Sequence, residues 1–500
     1  MADNKQRSSR KRSYTLIGMV LIVLLAGGGI IVNHFANEKS RTLAFESEPV
    51  RLQLEQSYDH FEGWGTSLAW WANDLGGWKD QAKVDEVMDL VFDAEKGLGL
   101  NIVRYNIGGE ENPEMKALRP GGDVPGFQPE PGVWDWEADA GQRSVLQGSL
   151  ERGVNIAEAF SNSPPYWMTI SGSVTGAVDG GNNLREDQYD AFADYLTEVV
   201  KHYRDEWGIT FRTLDPLNEP SSDWWKKGNM QEGSHFTNDK QAEIIKKVAA
   251  SLKSKGLDGT VISAADDNSI DETVHNFSIY DQDTLDVIAQ INTHSYNGSK
   301  MEELRTLAER HGKKLWMSEY GTGGSEPHHH EDMTSVQELA ERIMFDLKIM
   351  QPSAWVYWQA VEDEGANNNW GFIHANFNGE EQYEMTKQYY GMAQFTKFIR
   401  PGTKIIPTDD GRTLAAYDAE RQRLVLVIRN ELSAGNKAFE LQSSFDVANS
   451  STAQVYQTSP DRNMEQLEDI PVYANGVQVA VADNSVTTVV LEGVTLKAGQ

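Results

Sequence analysis

Between residues 57 and 360, short β-type runs alternate with amphipathic stretches of helical period, eight times over, and few folds accept that alternation. A strand, a helix and a second strand build a parallel pair, because the crossover returns the chain to the end it left. The strand candidates are 59–65, 101–107, 154–160, 210–217, 260–265, 287–294, 314–319 and 353–359. Between them, 81–98, 188–207, 240–255, 301–311 and 335–350 set apolar residues three and four apart, with charge on the outer face. Eight such units predict an α/β fold, a (β/α)8 TIM barrel over 47–400, with its functional groups at the C-terminal ends of the strands.

From 401 onward the pattern changes to period-two alternation at 423–428, 477–481 and 485–491, which predicts an attached antiparallel β-sandwich over 401–500. The alternating stretch 49–54 precedes the barrel and is expected to pair into that sandwich, joining it through 47–56. Neither an internal repeat nor a low-complexity linker separates the parts, so they should pack rigidly.

The first thirteen residues hold five basic side chains and one acid, and 14–32 then runs nineteen residues without a charge. At about 1.5 Å per residue such a helix reaches about 28 Å, near the thickness of a bilayer core. Residues 1–40 are therefore expected to be a cytoplasmic basic tail with a membrane anchor, or a cleaved signal, leaving the rest on the extracellular face. The 45 basic and 75 acidic residues give a net charge of -30, which repels nucleic acid and anionic lipid, so membrane association is expected only through that segment. Zero cysteines exclude disulfides, thiolate metal sites and cysteine nucleophiles. Fourteen Trp and seventeen Tyr beside 43 Gly suit a protein that stacks on neutral polar rings.

Two glutamates stand at strand ends: Glu219 in Asn218-Glu219-Pro220 after the fourth, and Glu319 in Ser318-Glu319-Tyr320 after the seventh. In an eight-stranded barrel these ends face each other across the mouth, where one acid and one carboxylate can act on a single glycosidic bond.

The chain resembles glycoside hydrolase family 30 from about residue 47 to its C-terminus. The likeness is carried by the aromatic, glycine-rich run from Phe61 to Ala72, by Arg104 to Gly109, by Asn218-Glu219-Pro220, His294 to Tyr296, Ser318 to Tyr320 and Tyr357 to Gln359, and by Phe398 to Gly402. The first of these runs resembles the branch that contains endo-β-1,6-galactanases. The resemblance implies a retaining hydrolase of β-1,6-linked galactan, such as arabinogalactan side chains, with Glu219 as acid/base and Glu319 as nucleophile. Arg104 is then expected to hold Glu319 ionised, and Asn218 to donate to the sugar 2-hydroxyl. Tyr296 would orient Glu319, and His294 would bind substrate or order a neighbour. Because His294 and Tyr296 flank Ser295 on the sixth strand, both are expected to reach the mouth only if the strand end turns or bulges. Trp358 would floor the subsite of the cleaved sugar. Trp64, Trp70, Trp71, Trp167, Trp370 and Asn162 are further candidates for binding sugar, and no second cation after Arg104 stands ready for a uronate.

Other sugars fit the same machinery, namely β-1,6-glucan, xylan and glucosylceramide-like substrates. A non-catalytic carbohydrate-binding surface protein is the reading from another class. His328, His329 and His330, followed by Glu331 and Asp332, suggest a metal site, but consecutive histidines do not converge on one ion, and retaining hydrolysis needs neither metal nor cofactor. The expectation is a solvated rim loop, no cofactor, and a monomer whose partner is its polysaccharide or oligosaccharide substrate.

Overall fold

The computed structural model describes residues 42–46, 48–115, 118–323, 331–447 and 452–497. The charge-free segment 14–32 and the three consecutive histidines lie outside the described residues. Among those described, no helix is long and apolar enough to cross a membrane.

Eight parallel strands form a closed barrel: β1 (Gly63–Ser67), β2 (Ile102–Asn106), β3 (Ile156–Phe160), β4 (Thr213–Asp215), β5 (Val261–Ser269), β6 (Ile288–Asn297), β7 (Lys314–Tyr320) and β8 (Ala354–Gln359). β8 pairs back onto β1, with Ala354 opposite Gly63 and Tyr357 opposite Thr66. Each strand overlaps the run predicted for it.

The outer helices follow the apolar period. Met301–His311 buries Met301, Leu304, Leu307 and Ala308, one stripe at three-and-four spacing. Tyr189–Trp207 ends at Gly208, whose φ of 68° is the left-handed cap that glycine adopts without strain. Gln81–Phe92 stops short of the predicted 98, because the Asp93 carboxylate accepts the backbone amides of Glu95 and Lys96, both at 2.9 Å, and turns the chain. The stretch predicted at 335–350 is an α-helix over Met333–Phe345 that widens to a π-type turn over Asp346–Met350. Ala140–Glu151 is a helix without a prediction, since Gln142 and Ser149 occupy two of its four buried positions and blunt the apolar period.

The barrel interior carries charge where apolar layers are usual. The buried Glu158 carboxylate accepts from Arg104 Nε at 3.0 Å, Thr213 at 2.6 Å, Ser263 at 2.9 Å, Gln290 at 3.2 Å and Asn292 at 2.9 Å. A buried acid this fully satisfied is tolerated, and it fixes its donors in one arrangement.

Beyond the barrel, antiparallel strands fold around a second core shared by Phe439, Val477 and Val479 with Leu424, Leu426, Ile428 and Leu491, as a sandwich requires. Val50–Arg51 adds a parallel strand to it, Val50 opposite Phe439, as the alternation at 49–54 implies. Val425, Val427 and Val486 instead belong to the core under the barrel helices, and Arg429 pairs with Glu341 at 2.8 Å across the same seam.

Candidate active site

Glu219, four residues past the end of β4, has φ 47°, a left-handed conformation that a non-glycine residue holds only when its surroundings impose it. Its amide donates to Asp266 O at 2.9 Å, while its carbonyl accepts Ser222 N and the Trp225 indole, each at 3.1 Å. Trp225 is itself locked in place, because a Cβ at Gly233 would meet its ring at 2.2 Å. Glu319 comes from the end of β7. The two residues are nearly buried, 6% and 5% exposed, at one cavity.

Beneath them His294 Nδ1 lies 3.2 Å from Glu219 Oε1 and 3.5 Å from Glu319 Oε1. Its Nε2 is 3.2 Å from Asp266 Oδ1, close enough for ion pairing without hydrogen-bond alignment. Although burial opposes it, the charges of Glu319 and Asp266 push the His294 imidazole well above its usual range. Asn268 Nδ2 donates to Glu219 Oε1 at 2.7 Å, and the Tyr296 hydroxyl to Glu319 Oε1 at 3.1 Å.

Arg104 Nη1 reaches Glu319 Oε2 at 3.3 Å and Ser318 O at 3.2 Å, while its Nη2 pairs with Asp266. Despite burial, Arg104 and His294 hold the Asp266 carboxyl down at about 2. Glu319 behaves oppositely. Burial, with the charge of Glu219 adding to it, pushes its carboxyl up to about 7 against the pull of His294 and Arg104. Arg104 does pair with Glu319 and favours its charged form, as expected, but one guanidinium divided among Glu158, Asp266 and Glu319 does not offset the burial.

The cavity, about 470 Å³, is bounded by Glu219 and Glu319 together with Asn162, Asn218, Tyr296, Trp70, Trp358 and Trp370, all of them expected sugar-binding residues. Trp70 meets Trp358 edge-on at 4.9 Å and Trp370 at 6.2 Å, so three indoles make one wall. Trp70 Nε1 and Asn218 Oδ1 are buried without a hydrogen-bond partner among the described residues, which leaves both for a ligand. A larger cavity, about 590 Å³, opens at the opposite end of the barrel, where Glu62 is already neutralised by Arg212 at 2.7 Å and by Lys314.

Several expected binding residues stand elsewhere. Arg104 and His294 are fully buried below the carboxylates and touch them rather than the cavity. Trp64 donates to Ile399 O at 2.7 Å and packs edge-on to Phe61 and Trp355. Trp71 donates to Ser67 O at 2.9 Å within the core. Trp167 donates to Gln128 O at 2.7 Å, with Arg185 on its carbonyl at 2.8 Å. Each of these indoles spends its one polar group on a backbone carbonyl. Residues two apart share a face of a strand, so His294 and Tyr296 point inward together while Ser295 turns out to Asp346 at 2.9 Å, and the end of β6 is also irregular, as expected: its pairing with β5 jumps from Thr293 to Asn297. On its other side a second register shift skips Ser318 of β7 between the Thr293 and His294 pairings.

Sequence reading missed Asp266, Asn268, Trp224 and Arg119. The first two sit in the acid-and-amide run 266–268 that ends β5, a signal of the same kind as Asn218-Glu219. Arg119 is a second cation near the cavity. Its guanidinium lies 4.2 Å from the Trp70 ring, and it pairs with Glu362 at 2.6 Å. Among the described residues, one ligand atom each from Glu219, His294 and Glu319 fall within 4.8 Å of one another, the spacing a metal ion could use. The acids around His294 favour its charged form, which suits the group to charge balance. Of the acids after the three histidines, Asp332 caps the helix Met333–Phe345 through Thr334 N at 2.8 Å, and Glu331 pairs with Lys387 at 3.4 Å.

The sequence model of O-glycosyl hydrolase family 30 matches residues 47–369. An endo-β-1,6-galactanase of Hypocrea rufa is 34% identical over 401 residues, which cover 76% of this chain and 81% of that protein. An exo-β-1,6-galactobiohydrolase of Bifidobacterium longum is 24% identical across 95% of this chain, which spans 40% of that longer protein. The crystal structure of a family 30 subfamily 8 xylanase from Clostridium acetobutylicum superposes with a TM-score of 0.67 at 23% identity, covering 89% of this chain and all of that one.

Proposed function

The chain belongs to O-glycosyl hydrolase family 30 and is a glycoside hydrolase; from that premise we propose that it cleaves β-1,6-linked galactan with net retention, Glu219 serving as general acid/base and Glu319 as nucleophile. The observation that carries the chemistry is the pair of carboxylate oxygens, one from each glutamate, within 4.8 Å of each other. Retaining glycosidases set their carboxyl groups about 5–5.5 Å apart, and inverting ones about 6.5–9.5 Å, leaving room for a water.

In the first step Glu219 protonates the glycosidic oxygen while Glu319 attacks the anomeric carbon, and the leaving sugar departs with that proton. In the second, Glu219 takes a proton from water as the water displaces Glu319. The donors around Glu319 suit the nucleophile: Tyr296 at 3.1 Å and Arg104 at 3.3 Å each favour its charged form. Protonating Glu219 for the acid step also removes the like charge that helps to push Glu319 up. Asn218, with an unpartnered oxygen in the cavity wall, would bind a sugar hydroxyl, and Trp358, which bounds the same cavity, would floor the ring.

The two relatives named for β-1,6-galactan support the substrate, as does a wall of indoles suited to a neutral sugar. Hydrolysis of a panel of β-1,6-galacto-, β-1,6-gluco- and xylo-oligosaccharides, with product sizes recorded, tests it. Preference for the galacto series is expected, and preference for either other series overturns the substrate.

A further inference from the structure

Nine large apolar side chains are markedly exposed among the described residues, and four of them, Ile170, Val178, Trp224 and Met230, lie on the loops that follow β3 and β4. These loops are stitched together: Ala177 bridges Lys226, and Lys227 N donates to Ala177 O at 3.0 Å. Trp224 is 45% exposed and at the same time lines the cavity that holds Glu219 and Glu319. Single exposed apolar side chains are ordinary, but several grouped beside a groove mark a binding surface.

Its neighbour explains how it is held. Trp225 is 2% exposed, its indole N–H bonds to Glu219 O, and its ring sits 6.0 Å from that of Trp224 at 61°. A Cβ at Gly176 would strike the Trp225 backbone at 2.3 Å, so glycine there lets the β3 loop close on it. With Trp225 fixed inward, Trp224 is directed outward. The cavity thus has two aromatic ends. Trp70, Trp358 and Trp370 stand at one, and Trp358, Trp370 and the Tyr296 hydroxyl all come within 3.6 Å of where a Cβ of Gly321, two residues beyond Glu319, would lie. Trp224 stands at the other, five residues beyond Glu219.

We propose that Trp224 is the stacking platform for the first sugar of the leaving group, so that the enzyme recognises a ring on each side of the cleaved bond. The inference rests on the assignment of Glu219 as the acid, because the acid stands beside the leaving oxygen and the sugar carrying that oxygen lies over the same loop. Asn229 bounds this cavity and also a smaller one of about 110 Å³ on the same side.

The test compares Trp224→Ala and Trp224→Phe with the unaltered enzyme on two substrates: β-1,6-galactotetraose, and β-1,6-galactobiosyl fluoride, whose leaving group has no ring. For Trp224→Ala, kcat/KM on the tetraose should fall at least about tenfold, and on the fluoride by a much smaller factor, while Phe restores much of the loss. Equal losses on both substrates, or no loss on the tetraose, overturn the proposal. Failure of the unaltered enzyme to cleave the tetraose would overturn the galactan assignment instead. The Trp224 comparison would then be run on the oligosaccharide that the panel identifies, with the same two outcomes.

Discussion

The Tyr296 hydroxyl donates to Glu319 Oε1 across 3.1 Å, from the end of one barrel strand to the end of the next. It joins a phenol at the cavity to the carboxylate proposed as nucleophile, and it favours the charged form of a group that burial drives toward neutrality.

Tyr296→Phe removes that donor and little else. A hydrogen bond to a charged group contributes about 1.5–3 kcal/mol, so kcat should fall roughly tenfold to a hundredfold with a smaller change in KM. Because the donor holds Glu319 down, the acidic limb of the kcat/KM profile should move to higher pH in the variant. A profile that moves down or stays put would remove Tyr296 from this role.

The two glutamates should fail differently. Glu319→Ala should lose nearly all turnover, since the nucleophile serves both half-reactions. Glu219→Ala should retain activity on substrates whose leaving group needs no protonation, and azide should accelerate it. Azide rescue of Glu319→Ala with a product of retained configuration would reverse the assignment.

Burial pushes Asp139 and Asp267 each up to about 7, where an unfolded Asp titrates near 3.9. Between those values the folded protein holds protons that the unfolded chain releases, so stability from these groups is full below about 4 and is lost as pH rises through about 7. Self-repulsion from the net charge of -30 acts in the same direction. The Tm should be higher at pH 5 than at pH 8, and Asp139→Asn should shrink the difference. A higher Tm at pH 8 contradicts the assignment.

Barrel, sandwich and paired glutamates were legible because each rests on a local signal: period two, period 3.6, or an acid just past a strand end. Ala140–Glu151 was hidden because Gln142 and Ser149 are buried polar residues, which periodicity counts as exposed. Trp64, Trp70, Trp71 and Trp167 read alike in sequence, yet only Trp70 bounds the cavity; what separates them is where each indole N–H finds a partner, a tertiary fact. The upward shift of Glu319 was illegible for a related reason. It comes from burial in the folded barrel, which Arg104 does not offset because Asp266 and Glu158 reach that guanidinium from other strands.

A neutral substrate should make the reaction insensitive to salt. Arg119 stands near the cavity but is occupied by Glu362 and by the Trp70 ring. The kcat/KM on β-1,6-galacto-oligosaccharides should change less than about threefold between low salt and about 0.5 M. A steep fall with salt, joined to a preference for glucuronoxylan, would mean that a cation reads a uronate and that the polysaccharide is misassigned.

Proton NMR of the first product formed from a β-1,6-galacto-oligosaccharide tests the central claim most directly. With Glu319 as nucleophile, two displacements at the anomeric carbon return the original configuration. The β-anomer should therefore be detected first, with the α-anomer growing in only by mutarotation. Initial release of the α-anomer would contradict the double displacement and, with it, the role given to the closely spaced Glu219 and Glu319.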